Sequence, residues 1–451
     1  MTEFIWNLAS FVIALGILIT VHEYGHFWVA RRNKVQVERF SIGFGKALWR
    51  KKDKHGTEFV IALIPLGGYV KMLDSRVDEV SESQRSVSFD QKTVYQRIAI
   101  IAAGPLANFV FAIFAFYLMF LIGVPSVKPI IGEVEADSIA AKSGLMANSE
   151  IISVAGKKTL DWQDVNLALA SQIGAKSFSI VTKDNDSVST KSYQLNTENW
   201  HFDPEQGSAI SSLGLQAFRP QIHNEIAHIV KQSPAEQAGF QIGDQLIAIN
   251  GQTVAQDWFT FSEQIKLYGD KQVAVEVIRN QESVIIEVTP KLVARNGQSV
   301  GYLGIAPKSE PYPEAYKIEL SYGLIDSLTE SMKRTWSLIV LSLDMIGKLI
   351  TGDVSVKNLS GPISIAQGAG DHAGYGFVYF LGFLALISIN LGIINLLPVP
   401  VLDGGHLFYY LVEAVTGKPV PEKIQELGFK FGTLALLSLM AIALFNDFSR
   451  L

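Results

Sequence analysis

The chain has 451 residues, 48% of them hydrophobic and 18% charged, with a mean hydropathy of +0.24; it is too apolar for an ordinary soluble enzyme and long enough for several domains. A formal net charge of -5, from 38 basic and 43 acidic side chains, favours neither a nucleic-acid partner nor an acidic one. There is no cysteine, which excludes disulfide frameworks, thiol catalysis and thiolate ligands, so a metal would have to be held by His and carboxylate.

Four apolar stretches, 4–30, 98–124, 377–397 and 429–445, are long enough or nearly so to cross the hydrocarbon layer, which takes about 20 helical residues. The first has no basic leader and runs into Val21-His22-Glu23 instead of a small-residue cleavage site, so it is expected to remain in the mature protein. Arg31, Arg32, Lys34, Arg39, Lys46, Arg50, Lys51, Lys52 and Lys54 crowd the segment that follows, which marks that side as cytoplasmic. Alternating crossings then put the N-terminus outside, residues 126–373 outside, the turn 404–428 inside and the C-terminus outside.

Within the first stretch, His22-Glu23-Tyr24-Gly25-His26 is an H-E-x-x-H pattern. A spacing of four residues puts both imidazoles on one helix face, able to bind one zinc ion, with Glu23 beside them as the base that takes a proton from water. Ionisable groups inside an apolar helix cost on the order of 2 to 3 kcal/mol each unless paired, and a metal supplies a reason for them. Downstream, Ser41-Ile42-Gly43-Phe44-Gly45 and Gly67-Gly68-Tyr69 alternate glycine with apolar residues. Gly104-Pro105 and Asn108 open the second stretch, where small residues permit close helix packing.

The polar region between the second and third stretches contains one pattern twice. Residues 138–156 read SIAAKSGLMANSEIISVAG and residues 233–251 read SPAEQAGFQIGDQLIAING; each is followed by an Asp-Trp pair, Asp161-Trp162 and Asp257-Trp258. Each unit resembles a PDZ domain, and the second matches that pattern more fully; the first has Asn148-Ser149 where the second has Gly243-Asp244. Leu213-Gly214-Leu215 and Leu303-Gly304-Ile305 resemble the carboxylate-binding loops of such domains, where backbone N–H groups converge on a peptide terminus; a pair of spacers that bind nothing is the alternative. Residues 319–350 read as an amphipathic helix, lying on the outer membrane surface or docking onto the repeated units.

At the end of the third stretch, Pro398 and Pro400 break the helix just before Leu402-Asp403-Gly404-Gly405-His406. Asp403 is the expected third zinc ligand, at the same cytoplasmic end as His22 and His26; His406 competes for that role or supports it from behind. Asn395 resembles the motif asparagine of the site-2 protease family, which implies an amide that hydrogen-bonds substrate backbone or a developing oxyanion; an interhelical contact is the alternative.

Together, H-E-x-x-H in the first helix, N-x-x-P-x-P-x-L-D-G-G after the third and the tandem PDZ-like repeat between helices two and three resemble the site-2 protease family, regulator-of-sigma-E type, over essentially the whole chain. The resemblance implies a Zn2+ endopeptidase of the bacterial inner membrane, multi-pass, with periplasmic PDZ domains and a site near the cytoplasmic side. Its expected partners are the lipid bilayer and single-pass membrane proteins, typically an anti-sigma factor after a first external cut, and signal-peptide remnants; no nucleic acid is expected. It also implies a membrane-associated β-hairpin containing Gly43, Phe44, Gly45, Gly67, Gly68 and Tyr69; our expectation is that its edge pairs with an extended substrate, an ordinary cytosolic hairpin being the alternative. The expected fold is a polytopic α-helical membrane protein with four transmembrane helices, that hairpin and two inserted PDZ-like α+β domains. Its expected parts are 1–125, 126–220 (first PDZ), 221–310 (second PDZ), 311–374 (amphipathic helix and connector) and 375–451. A membrane zinc-binding scaffold or transporter is the alternative, and Glu23 speaks against it because a scaffold has no need of a base beside its metal.

Overall fold

The computed structural model describes residues 2–184, 189–198, 200, 202, 208–254, 257–295 and 298–449. The chain divides into two compact units: residues 1–126 with 319–447, and residues 127–318 with 448–451.

The first unit begins with α1, Thr2–Arg32, whose apolar run closes on Arg31 and Arg32, cations suited to the negative end of a helix dipole. The second helix, α2, Val94–Ile122, starts in a capping box between Thr93 and Gln96 and stops at Gly123. After the second unit come α3 (Leu324–Thr351), α4 (Pro362–Tyr375), α5 (Phe377–Leu396), α6 (Asp403–Thr416) and α7 (Glu422–Ser449). Among the described residues four helices are long and apolar enough to cross a membrane: Phe4–Arg32, Val94–Ile122, Phe377–Leu396 and Glu422–Ser449. α2 packs against both α1 and α5. One apolar core joins Ala14 and Leu18 of α1 to Ala369 of α4 and to Phe383 and Leu384 of α5. Another joins Phe27 and Ala30 to Phe40, Phe89, Ile100 and Tyr410.

Between α1 and α2 lie β1 (Val37–Lys52) and β2 (Glu58–Met72), and the hairpin they form is folded once more than a simple one. Ser41 pairs with Tyr69 on one side and with Val60 on the other, while Trp49 pairs with Ile61. The strand halves therefore order as 47–52, 58–62, 37–42 and 68–72, with 68–72 at one edge. The bend within β1 falls at Gly43 and Gly45, both at φ near +90° (90° and 89°), a backbone region open to glycine and costly for Phe44 between them.

Helix α3 covers most of the amphipathic segment expected over residues 319–350. It packs against α2 and α5, and Ser342 Oγ donates to Asn390 Oδ1 at 3.0 Å, beyond the midpoint of α5. The stripe Ser327, Ser331 and Thr335 is buried, whereas Leu324, Leu328, Met332 and Trp336 face outwards. Small side chains on that stripe let packed helices approach closely.

Among the described residues the second unit holds two separate apolar cores, one spanning Ile131 to Leu215 and the other Ile226 to Leu303. The first surrounds a sheet ordered Lys157–Lys158, Ser149–Val154, Ser177–Asp184, Thr190–Asn196. The second surrounds a sheet ordered Glu282–Val288, Val273–Arg279, Gln245–Ile249, Ile222–Ile229, Ile305–Ser309. The repeat extends to capping: Ser138 accepts from Ala141 N–H and Ser233 from Glu236 N–H, each opening a short helix.

Candidate metal centre

The spacing of His22 and His26 puts their rings on one face of α1, with centroids 4.9 Å apart and planes at 81°. α5 stops at Leu396 before Pro398, and the chain turns back so tightly that a Cβ on Gly404 or Gly405 would overlap backbone between Leu396 and Pro400. That turn makes Asp403 the first residue of α6, carrying its carboxylate into the α1 face at a helix N-terminus, where negative charge is favoured.

His22 Nε2 lies 3.1 Å and His26 Nε2 3.3 Å from Asp403 Oδ2, and the two Nε2 atoms are 3.3 Å apart. Tetrahedral zinc with N and O ligands at 2.0 to 2.1 Å has ligand edges of about 3.3 Å, the bond length times roughly 1.63. The triangle therefore fits three corners of a zinc site. Both histidines are buried, and Asp403 Oδ2 is buried without a well-directed hydrogen bond, an arrangement that costs free energy until a cation joins it. With no cysteine in the chain, this donor set suits zinc.

Both imidazoles are backed by α2. His26 Nδ1–H donates to the Ile100 carbonyl at 2.8 Å, which leaves the Nε2 lone pair for a metal. Gly104, one turn on, sits against the same ring: a Cβ there would overlap His26 Nε2. A further turn on, Asn108 is fully buried, with its side-chain amide nitrogen 3.1 Å from His22 Nδ1 and its backbone carbonyl accepting from Ser388 Oγ at 2.9 Å. Reading Gly104 to Asn108 as packing alone misses this contact; the sequence marks Asn108 as an amide within the apolar stretch 98–124 without showing what it meets.

Glu23 lies beside the triangle, under the sheet edge: a Cβ on Gly68 would come within 3.1 Å of Glu23 Cγ and 2.7 Å of both Ile19 Cγ2 and the Ser41 carbonyl. The segment 68–72 thus runs next to the acid. Phe44 and Tyr69 stack with centroids 6.0 Å apart, and a Cβ on Gly67 would overlap the Phe44 ring. α6 is anchored at its far end by Arg97, which donates to both Glu413 oxygens at 2.7 and 3.2 Å and lies 4.8 Å from the Tyr410 ring centre.

Other expected residues lie apart from the triangle. His406 is one turn along α6, with its ring 6.5 Å from that of Tyr409, in a cavity shared with Arg76, Arg97, Glu413 and the apolar Phe89 and Ile101. Asn395 is half-buried on the last turn of α5, and the hydrogen bonds found at the site among the described residues do not include it. In the second unit Leu213, Leu215 and Leu303 are buried, and Gly214 and Gly304 have φ of 81° and 82°. Their carbonyls accept from equivalent donors, Glu135 and Val230 N–H, both at 2.8 Å. Ile305 borders a groove with Trp258, Phe261, Ile265 and Leu303.

The family model described as Peptidase family M50 matches residues 10–439. The sequence is 50% identical over 451 residues, 100% of both chains, to the Regulator of sigma-E protease RseP of Escherichia coli. It is 49% identical over 453 residues to a Vibrio cholerae protein named as a zinc metalloprotease, and 47% identical over 449 residues to the Regulator of sigma E protease of Haemophilus influenzae, again covering 100% of each chain.

Proposed function

The chain belongs to peptidase family M50 and is a metalloprotease, and from that premise we propose that it is a zinc endopeptidase that cuts transmembrane segments of single-pass proteins within the bilayer. The observation that carries this reading is the triangle of His22 Nε2, His26 Nε2 and Asp403 Oδ2 with edges of 3.1 to 3.3 Å, built by helices of an apolar bundle. Zinc bound by these residues would supply Lewis acidity towards the scissile carbonyl and towards water.

Glu23 takes the proton from the attacking water and passes it to the leaving amine. A substrate helix hides its carbonyls in its own hydrogen bonds, so the segment to be cut must first become extended. The edge 68–72, next to Glu23, supports a role in holding it as an added strand, with Gly43, Phe44, Gly45, Gly67, Gly68 and Tyr69 shaping that edge. Asn395 contributes an amide to substrate backbone or to the oxyanion.

Residues 126–220 and 221–310 act as two PDZ domains on the periplasmic side, keeping substrates with bulky external parts away; the repeated caps and loops favour this reading. The names of the relatives favour a place in sigma-E control; the site-2 protease resemblance supports an inner-membrane location, with an already trimmed anti-sigma factor as substrate and signal-peptide remnants as others.

The test is Glu23→Gln in purified protein given a single-pass model substrate. Turnover is expected to fall by about 10²- to 10⁴-fold, the usual contribution of a general base, with zinc content retained. Undiminished turnover refutes the mechanism.

A further inference from the structure

The two histidines of the triangle are supported differently by α2. A carbonyl can only accept, so the 2.8 Å contact with Ile100 gives His26 one tautomer, with the proton on Nδ1. His22 Nδ1 instead meets the Asn108 amide, whose nitrogen lies 3.1 Å away while its oxygen Oδ1 is buried with no partner. Asn108 is fully buried and its backbone is tied to α5 through Ser388, so the side chain has little freedom beyond rotation of the amide itself.

An imidazole that gives its Nε2 lone pair to a metal must carry its proton on Nδ1, and that proton needs an acceptor. An amide nitrogen cannot be one. A half-turn of the Asn108 amide exchanges its O and N at nearly unchanged positions, bringing the unpartnered Oδ1 onto His22 Nδ1–H. We propose that Asn108 is a positioning residue for the metal centre, holding His22 in its Nδ1–H tautomer through Oδ1 as the Ile100 carbonyl holds His26. Residues 100, 104 and 108, four apart along one face of α2, then form a single wall behind both rings: acceptor, gap, acceptor. This inference rests on zinc binding at the triangle.

The experiment is zinc affinity of the full-length protein in detergent, measured by competition with a chromophoric chelator, together with the visible spectrum of the cobalt-loaded form. Asn108→Leu keeps the volume and removes the acceptor; Asn108→Asp keeps an acceptor at the same reach. Loss of an outer-shell partner lowers metal affinity about 10- to 100-fold, and that loss is expected for Leu, with a shifted cobalt spectrum, while Asp stays near wild type. If Leu does not fold, Asn108→Ala takes its place. Wild-type affinity in the acceptor-free variant, or equal loss in the Asp variant, overturns the inference and leaves the zinc reading standing. A wild-type protein that takes up no zinc at the triangle overturns both.

Discussion

At Gly104 the distance between α2 and the His26 ring is decided by one missing atom. A Cβ there would overlap His26 Nε2, and on the facing helix a Cβ on Gly25 would overlap the Ala103 carbonyl, so neither helix can yield to the other. Gly104→Ala is expected to displace the imidazole and reduce zinc retention at least about tenfold, in line with the loss of a supporting group at a metal; elemental analysis of purified protein checks it, and full zinc content in the variant would contradict the geometry. Outside the membrane helices, Asp90 illustrates a different residue-scale effect. Burial works to raise its carboxyl, but hydrogen bonds from the Ser75 and Ser88 hydroxyls, the Ser75 N–H and Gln91 outweigh it and hold the group below the ordinary carboxylate range. A depressed folded-state value means that Asp90 stabilises the fold above its unfolded pKa and loses that contribution as pH falls through the folded one. Asp90→Asn should therefore destabilise at neutral pH and flatten the loss of thermal stability on acidification; an unaltered pH profile would count against it. H-E-x-x-H was legible because its chemistry is local to one helix. Asn108 was not, because its importance comes from the ring it meets across a helix interface.

At the scale of elements, the sheet edge and the end of α7 each carry a prediction. Gly68→Ala should push the 68–72 segment away from Ile19 and Glu23, lowering turnover while zinc stays bound; equal turnover, together with equal turnover for Phe44→Asp, would dismiss the proposal that this edge receives substrate. The double pairing of β1 was not legible, since glycine-apolar alternation marks a hairpin without saying where it folds back. The role of Asp447 was hidden for the same kind of reason. Its carboxylate accepts from the N–H groups of Gly361 and Ile363 at 2.9 Å, from Ser364 N–H at 3.2 Å and from the Ser364 hydroxyl, capping α4 from another helix. Asp447→Ala strands those donors and is expected to cost about 1.5 to 3 kcal/mol, read as a lowered unfolding midpoint; Asp447→Asn should recover part of it. An unchanged midpoint would mean that water replaces the carboxylate.

For the whole molecule, the bilayer orientation proposed from the Lys and Arg residues after the first helix is directly testable, because the chain has no cysteine. A single cysteine at His55, in the turn between β1 and β2, should react with an impermeant maleimide only after permeabilisation, whereas one at Lys157 should react in intact cells. The reverse pattern would invert the topology. Removing residues 127–318 should admit substrates with bulky external parts without lowering zinc content, and continued exclusion would end the filter proposal. By itself the sequence determined the number of apolar helices, the shared face of His22 and His26 and the two repeated units, because each depends on periodicity or length within a continuous segment. Only the tertiary structure decided how α2 backs the two rings, that α3 turns its small polar stripe inwards, and how a tight turn after α5 brings Asp403 to within 3.3 Å of both imidazoles. Those outcomes depend on how closely separate helices can approach, which is set by the side chains missing at Gly104, Gly404 and Gly405 and is invisible to any pattern read along one helix.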